Sequence, residues 1–190
     1  MIDIYFIRHG QTEENFRNWC QGQTPGTLSK QGLQQAEQLS EELKSTPVDC
    51  IYTSDLSRTV HTAKIIAQYH PEVPLIEDRK LRERYMAEWQ GKAFPPNWHQ
   101  LSMPPGAESH EDLMTRATAF LEQLQQHPEQ KIVWAVSHGG MIRAFCTVLG
   151  GKTAREYYSW PKIDNTSVTH GRIDDNGHFG LIKIGAAGPD

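Results

Sequence analysis

Two histidines stand where two apolar runs of the chain end, and each is followed by glycine. His9 comes after the run at residues 2–7, and His138 comes shortly after residues 132–136. Ligands of α/β proteins bind beyond the carboxyl ends of the strands, so both imidazoles are expected to face one pocket. Imidazole is partly neutral and basic near pH 7, which suits it to nucleophilic catalysis or proton transfer. One such histidine alone is more often structural, and the pair is what favours a reactive site.

The length, composition and charge of the chain exclude several classes of protein. Its 190 residues, 37% hydrophobic and 22% charged, are typical of a folded, soluble domain. A formal charge of −4, with no block of Lys and Arg, argues against a nucleic-acid partner. The apolar run near the N-terminus is too short for a signal peptide or a membrane span, so a cytoplasmic protein without a membrane partner is expected. The spacing of Cys20, Cys50 and Cys146 suits neither zinc nor redox chemistry, and buried free thiols are expected.

The apolar pattern predicts strands that alternate with helices. Helices are expected to begin near Ser29, Ser57, Ser109 and Gly139, and a turn at Asp175-Asn176-Gly177 predicts a hairpin between residues 167–173 and 178–184. Alternating strands and helices indicate a three-layer α/β/α sandwich with a mixed, mostly parallel central sheet. No composition break or repeat divides the chain, so one domain over residues 1–190 is expected. Further strands are predicted at residues 2–7, 49–53, 75–76 and 132–136.

Residues 82–106 are irregular and contain four prolines. A compact domain seldom carries so long a segment without a use for it, so we interpret it as a loop that covers the site. As a cover for the site, however, the segment is short and proline-rich, so we expect it to leave His9 open to water.

Several segments together resemble one family. Residues 8–15, Arg-His-Gly-Gln-Thr-Glu-Glu-Asn, are similar to the signature Arg-His-Gly-x-Thr-x-x-Asn of the histidine phosphatases, also called the phosphoglycerate mutase-like superfamily. The resemblance continues, in the family's order, through residues 54–59, 81–83, 136–140 and 165–167. It implies the same α/β/α fold and phosphoryl transfer without a metal or other cofactor.

The resemblance also implies a role for each site residue. His9 is the nucleophile, and Glu83 is the general acid, although a glutamate in a charged loop is ordinarily solvated. Arginine forks suit phosphate because each can bind two of its oxygens. His138 is expected to be cationic when phosphate is bound and to act as a further donor. The predicted site thus comprises catalytic His9, Glu83 and His138, with phosphate bound by Arg8, Asn15, Arg58, His138 and Gly139.

Two segments depart from the family's pattern. The loop before the first long helix reads Thr24-Pro25-Gly26, and the element around Trp89 reads Ala-Glu-Trp-Gln-Gly at residues 87–91. Neither departure falls on the predicted nucleophile or on the arginines predicted to bind phosphate. Both are therefore expected to affect substrate preference. The side chains that could contact the substrate, or simply pack, are Arg17, Trp19, Tyr85, Trp89 and Trp98.

The resulting hypothesis is a metal-independent phosphomonoester hydrolase that acts on a small phosphorylated metabolite through a phosphohistidine. A mutase of the phosphoglycerate type would share the first half-reaction and return the phosphoryl group to a bound acceptor. A non-catalytic module that binds a phosphorylated ligand is the alternative from another class. Sugar phosphates, phosphoglycerates, nucleotide-like esters and phosphoproteins all present the same dianion to such a clamp.

Overall fold

The computed structural model of the protein describes residues 1–186. Short 3₁₀ turns at Arg79–Leu81, Ala87–Trp89, Trp98–Gln100 and Ala154–Ser159 connect the longer elements. Those elements are, in chain order, β1 (Ile2–Arg8), α1 (Glu13–Phe16), β2 (Trp19–Cys20), α2 (Lys30–Leu43), β3 (Cys50–Thr53), α3 (Ser57–Ile66), β4 (Leu75–Glu77), β5 (Lys92–Ala93), α4 (His110–Gln125), β6 (Ile132–Ser137), α5 (Gly139–Leu149), β7 (Val168–Ile173) and β8 (Phe179–Ala186).

Six strands form one sheet in the order β4-β3-β6-β1-β7-β8. The pairings β4–β3, β3–β6 and β6–β1 are parallel, whereas β1–β7 and β7–β8 are antiparallel. The sheet is therefore mixed and mostly parallel, as predicted. β1 and β6 are direct neighbours and run the same way, with Arg8 opposite Ser137. This register brings His9 and His138, the residues that follow these two strands, to the same edge of the sheet.

Helices cover both faces of the sheet, which gives the predicted three layers. Ile4 and Phe6 of β1 belong to the core beneath α4 and α5, and the Phe6 ring stacks on Phe145 with centroids 4.2 Å apart. Ile7 points to the opposite face and packs in the core beneath α2 and α3, where Leu39 lies. Burying one such side chain contributes about 1.5–3 kcal/mol. The alternation of β1 side chains thus fixes the strand between two apolar layers, and its end is held in place.

Local signals account for the helix starts. Ser29 caps α2 by accepting the backbone N–H of Gly32, and Ser109 caps α4 in a reciprocal box with Asp112. The predicted hairpin is also present, as β7 and β8. Cys20, Cys50 and Cys146 are free and buried, as expected. Of the helices in residues 1–186, none combines the length and apolar character that crossing a membrane requires.

The covering loop at residues 82–106 is more ordered than its sequence predicts. β5 within it pairs with β2, and Gly91 donates its N–H to the carbonyl of Cys20 at 2.7 Å. The side chain of Gln90 adds a second tie, because its Oε1 accepts the N–H of Gln23 at 2.8 Å. The loop is therefore fastened to the segment that follows β1.

Candidate active site

His9 lies directly after β1, and hydrogen bonds fix the orientation of its ring. Its Nδ1 atom is 2.7 Å from the carbonyl oxygen of Gly10. A carbonyl can only accept, so Nδ1 carries the hydrogen and the neutral ring has its lone pair on Nε2. The backbone N–H of His9 donates to the carbonyl of Ser137 of β6 at 3.1 Å, which ties the predicted nucleophile to the neighbouring strand. The neutral ring is thus held with its lone pair on Nε2.

The surroundings of His9 keep it neutral. Burial lowers its pKa well below 6.5, and the positive charges of Arg58 and Arg8 lower the pKa further. Only 2% of the residue is exposed. The expectation that His9 would be open to water is therefore wrong for the ring itself, although the residue lines the cleft described below.

The segment at residues 165–167 holds the backbone where β1 ends. The side-chain amide of Asn165 donates to the carbonyl of His9 at 2.9 Å, and the N–H of Thr166 donates to the carbonyl of Arg8 at 2.9 Å. Thr166 adopts a left-handed backbone conformation with φ of 56°, an uncommon conformation for a β-branched residue. These bonds make the motif a brace for the main chain of Arg8 and His9.

Two arginines flank His9, of which Arg58 is buried and Arg8 half-buried. Nη1 of Arg8 donates to the carbonyl of Ile163 at 2.6 Å, and its Nε is buried with no partner among the described residues. Arg58 is held by three bonds: Nε to His138 at 3.2 Å, Nη1 to the carbonyl of Thr24 at 2.8 Å and Nη2 to the carbonyl of Gly22 at 2.7 Å. Burial lowers the pKa of Arg58 to about 10. Since each terminal nitrogen carries a second N–H, both forks retain donors for phosphate oxygens.

His138 is hydrogen-bonded to the side chain of Arg58. Its Nδ1 accepts from Arg58, which has only donors, so Nε2 carries the hydrogen and donates to Oγ of Ser54 at 3.0 Å. Burial and then the charge of Arg58 lower its pKa well below 6.5. The ring stands edge-on to that of His9, with centroids 5.2 Å apart. The ring is therefore neutral, with both nitrogens hydrogen-bonded. That His138 becomes a cationic donor when phosphate is bound stays a prediction.

Glu83 is held by two backbone N–H groups instead of its arginine neighbours. Oε1 accepts from the N–H of Arg84 at 2.7 Å, and Oε2 accepts from that of Gly140, in the first turn of α5, at 3.0 Å. The Arg82 side chain turns away to a two-bond ion pair with Asp55, each bond 2.6 Å long. A protonated carboxyl group keeps acceptor sites while it donates one hydrogen, so these bonds are compatible with acid catalysis.

One cleft of about 210 Å³ brings most of the predicted site together. Arg8, His9, Asn15, Arg58 and Glu83 all line it, whereas His138 and Gly139 do not. Gly139 packs beside Arg8, and it is Gly140 that reaches the wall, where its N–H is already given to Glu83. The direct phosphate contacts of His138 and Gly139 stay predictions. The lining residues are Arg8, His9, Asn15, Trp19, Cys20, Gln21, Gly22, Arg58, Glu83, Arg84, Met86, Phe94, Trp98, Gly140, Arg143, Tyr157 and Tyr158.

Two of the five side chains that the sequence suggests for substrate contact line the cleft. Trp19 and Trp98 line the cleft, whereas Arg17, Tyr85 and Trp89 are not among the described lining residues. The sequence analysis did not identify a second group of basic and aromatic side chains that also line the cleft. Its members are Arg84, Arg143, Tyr157 and Tyr158. Position 143 is three residues after Gly140 on α5, and this helical spacing was the available signal.

The sheet order, with a histidine directly after strand β1, defines the phosphoglycerate mutase-like class of α/β fold. In solved structures the same fold occurs in YhfR of Bacillus stearothermophilus, with a TM-score of 0.89, 26% identity and 98% of both chains covered. The sequence profile of the histidine phosphatase superfamily, branch 1, matches residues 4–183. The chain belongs to this superfamily.

Curated relatives within the superfamily have names that indicate different activities. Phosphoglycerate mutase-like protein 4 of Arabidopsis thaliana is 34% identical over 189 residues, covering 91% of this chain and 80% of the relative. A metal-independent phosphoserine phosphatase of the same plant is 35% identical over 162 residues, covering 76% and 67%. The comparisons therefore establish the superfamily, whose members include phosphatases and mutases.

Proposed function

We propose that the protein is a metal-independent phosphomonoester hydrolase that works through a phosphohistidine on His9. The observation that carries the proposal is the Nδ1 bond to Gly10, which leaves the Nε2 lone pair on a neutral ring between two arginines. A module that only binds phosphate has no need of a nucleophile in this tautomer. The carboxyl group of Glu83, in the same cleft, adds the proton donor that a leaving alkoxide requires.

The first half-reaction transfers the phosphoryl group to the enzyme. Nε2 of His9 forms a bond to phosphorus while the bond to the ester oxygen breaks, and Glu83 gives its proton to that oxygen. Arg8 and Arg58 stabilise the charge on the three remaining phosphoryl oxygens. In the second half-reaction a water oxygen attacks phosphorus, Glu83 takes a proton from that water, and the bond to Nε2 breaks. Phosphate leaves, and the starting protonation states are restored.

Water access favours hydrolysis over phosphoryl return. Trp19 and Tyr158 line the cleft and are 39% and 56% exposed, so the lip of the cleft is in contact with solvent. A mutase has to retain a dephosphorylated intermediate while it excludes water. The deep burial of His9 is the observation that favours the mutase alternative. The open lip supports hydrolysis as the main reaction, because water can enter after the alcohol has left.

The test is to trap the phosphoenzyme. Protein incubated with a ³²P-labelled ester and quenched in alkali should carry label on the peptide that contains His9, because a phosphoramidate survives base and is lost in acid. His9→Ala should carry no label and lose turnover. Label on another residue, or full activity in His9→Ala, would overturn the proposal.

A further inference from the structure

The main chain that leads to Glu83 is held by one side chain of α4, that of Arg116. Nη1 of Arg116 donates to the carbonyl of Lys80 at 2.9 Å and to that of Arg82 at 2.7 Å. Its Nη2 donates to the carbonyl of Glu83 at 3.3 Å. One guanidinium group thus binds three of the four carbonyl groups at residues 80–83.

Glu108, just before α4 begins, binds the remaining side of the Arg116 guanidinium. Its Oε1 accepts from Nε at 2.9 Å, and its Oε2 accepts from Nη2 at 2.8 Å. A guanidinium group has five N–H groups, one on Nε and two on each terminal nitrogen, and these bonds use all of them. Arg116 is therefore arranged to hold the protein chain and not a substrate.

The peptide unit between Glu83 and Arg84 connects Arg116 to the carboxyl group of the acid. The carbonyl of this unit accepts from Arg116 at 3.3 Å and from Nε2 of Gln23 at 3.1 Å. Its N–H, which belongs to Arg84, donates to Oε1 of Glu83 at 2.7 Å. Because a peptide unit is planar, its carbonyl and its N–H turn together. Rotation of the unit would move the N–H away from the carboxyl group, and the bond to Arg116 opposes that rotation.

Glu108 also holds the residues that follow Glu83. Its Oε2 accepts the N–H of Tyr85 at 2.7 Å, and its own N–H donates to the carbonyl of Tyr85 at 3.0 Å. Its carbonyl accepts from Nε of Arg84 at 2.6 Å. The ion pair of Glu108 and Arg116 thus holds the chain on both sides of Glu83. Neither member of the pair is among the described residues that line the cleft, so an effect on catalysis has to pass through the segment that they hold.

We propose that Arg116, with Glu108 as its partner, is a positioning residue for proton donation by Glu83. This inference rests on the proposed function, in which Glu83 is the acid, and deepens it. A catalytic group that is misplaced by about 1 Å can lose about 100-fold in rate, so an unrestrained peptide unit at Glu83 should weaken the acid. The planar fork of arginine suits the task because its donors point in fixed directions, whereas a lysine ammonium is a flexible point charge.

The experiment compares two leaving groups, so that placement of the acid is separated from general stability. Glycerol 3-phosphate has a leaving oxygen that needs a proton, and p-nitrophenyl phosphate has one that needs little help. We expect Arg116→Met to lower the ratio of kcat/KM for glycerol 3-phosphate to that for p-nitrophenyl phosphate about 10-fold or more. Arg116→Lys should lower this ratio less. A loss of packing alone would reduce both activities equally, and an unchanged ratio in Arg116→Met overturns the inference.

A double-mutant cycle tests whether Arg116 acts through Glu83. In the Glu83→Gln background the ratio has already lost the contribution of the acid, so adding Arg116→Met should lower it no further. A further fall of similar size would mean that Arg116 acts independently of Glu83 and would overturn the inference. Arg172→Met is the matched control, because it also removes an arginine that is paired with a carboxylate, that of Asp3, at the end of β1 away from His9. The ratio should be unchanged in Arg172→Met.

Hydrogen exchange of the Arg84 amide tests the placement without turnover. In Arg116→Met the N–H of Arg84 should exchange about 10-fold faster or more, because the peptide unit that it belongs to is released. The N–H of Val136, in the buried strand β6, should exchange as before. Exchange is followed by NMR, and an unchanged rate at Arg84 overturns the inference. If Arg116→Met does not fold, the ratio and the exchange rate in Arg116→Lys decide.

The proposed function can fail separately. If the protein hydrolyses neither ester while the exchange rate at Arg84 still depends on Arg116, hydrolysis is refuted and the placement of Glu83 by Arg116 stands. If Glu83→Gln lowers the ratio and Arg116→Met changes neither the ratio nor the exchange rate, the hydrolase stands and the inference is refuted.

Discussion

The backbone N–H of Gly140 donates to Oε2 of Glu83 at 3.0 Å, and a Cβ atom at position 140 would lie 2.3 Å from Oε1 of the same carboxyl group. Gly140→Ala should therefore fold, because the clash is with the end of a flexible side chain, but it should displace the acid. We expect activity on glycerol 3-phosphate to fall about 100-fold, as for a misplaced catalytic group.

The control is Gly180→Ala, since a Cβ there would meet no atom within 4 Å. Steady-state kinetics and thermal unfolding of both variants are the measurements. Unchanged activity in Gly140→Ala would show that the observed position of the Glu83 carboxyl group beside Gly140 is not required for activity.

Glu83→Gln tests the acid itself. The amide keeps the shape of the side chain but cannot give a proton to the leaving oxygen, so hydrolysis of an alkyl phosphate should fall about 10²–10⁴-fold. p-Nitrophenyl phosphate should lose much less, because nitrophenolate leaves without protonation. The ratio of kcat/KM on the two esters is the measurement. Equal losses on both would make Glu83 a positioning residue for the loop and would exclude it as the acid.

Hydrolysis of phosphoglycerate should be faster than its interconversion by a mutase reaction. With 3-phosphoglycerate and a trace of 2,3-bisphosphoglycerate, we expect free phosphate to form faster than 2-phosphoglycerate, because the solvent-exposed lip at Trp19 and Tyr158 admits water to the phosphoenzyme. The two products can be followed together by ³¹P NMR. Interconversion faster than phosphate release would identify a mutase.

The buried histidines should make the protein less stable in mild acid. The pKa values of His9 and His138 are lowered in the folded protein, mainly by burial. Below about pH 6.5 the unfolded chain takes up protons that the folded chain does not, so the free energy of unfolding falls as pH falls. Each histidine contributes a slope of up to about 1.4 kcal/mol per pH unit. Urea unfolding at pH 7.5, 6.5 and 5.5 measures the slope, and His138→Asn should reduce it. An identical slope in that variant would show that His138 is protonated in the folded state.

Elements with a local signal were predictable from the sequence. β1 and β6 are apolar runs, which is typical of strands inside a covered sheet. Ser109 with Asp112 forms a capping box, which predicts the start of α4. The two-residue strands β2 and β5 have no periodicity, so nothing in the sequence marks their pairing. α1 is only four residues long. Thr12 and Asn15 form its capping box, whereas the sequence resemblance predicts only a phosphate-binding role for Asn15.

The sequence predicts which residues form the site, but it does not predict the hydrogen bonds that orient their side chains. The resemblance points to Arg8, His9, Arg58 and Glu83, and the cleft contains all four. The bonds that orient Arg58 run to main-chain carbonyls of Gly22 and Thr24, and a carbonyl has the same chemistry at any residue. For the same reason, the sequence could not show that Nε2 of His138 is occupied by Ser54. Which donors remain for phosphate is thus a property of the packed loops.

The position of β1 between β6 and β7 has a consequence for how the protein folds. Asp3 pairs with Ile132 on one side and with Arg172 on the other, so the first strand of the chain finds both partners only among distant segments. Closing such long loops slows folding and leaves β1 with two bare edges until late. A chain that lacks β7 would expose one of those edges permanently and would lose the brace from Asn165 as well. We therefore expect the docking of β7 to cover that edge of β1 and to bring the Asn165 brace to His9 in the same step.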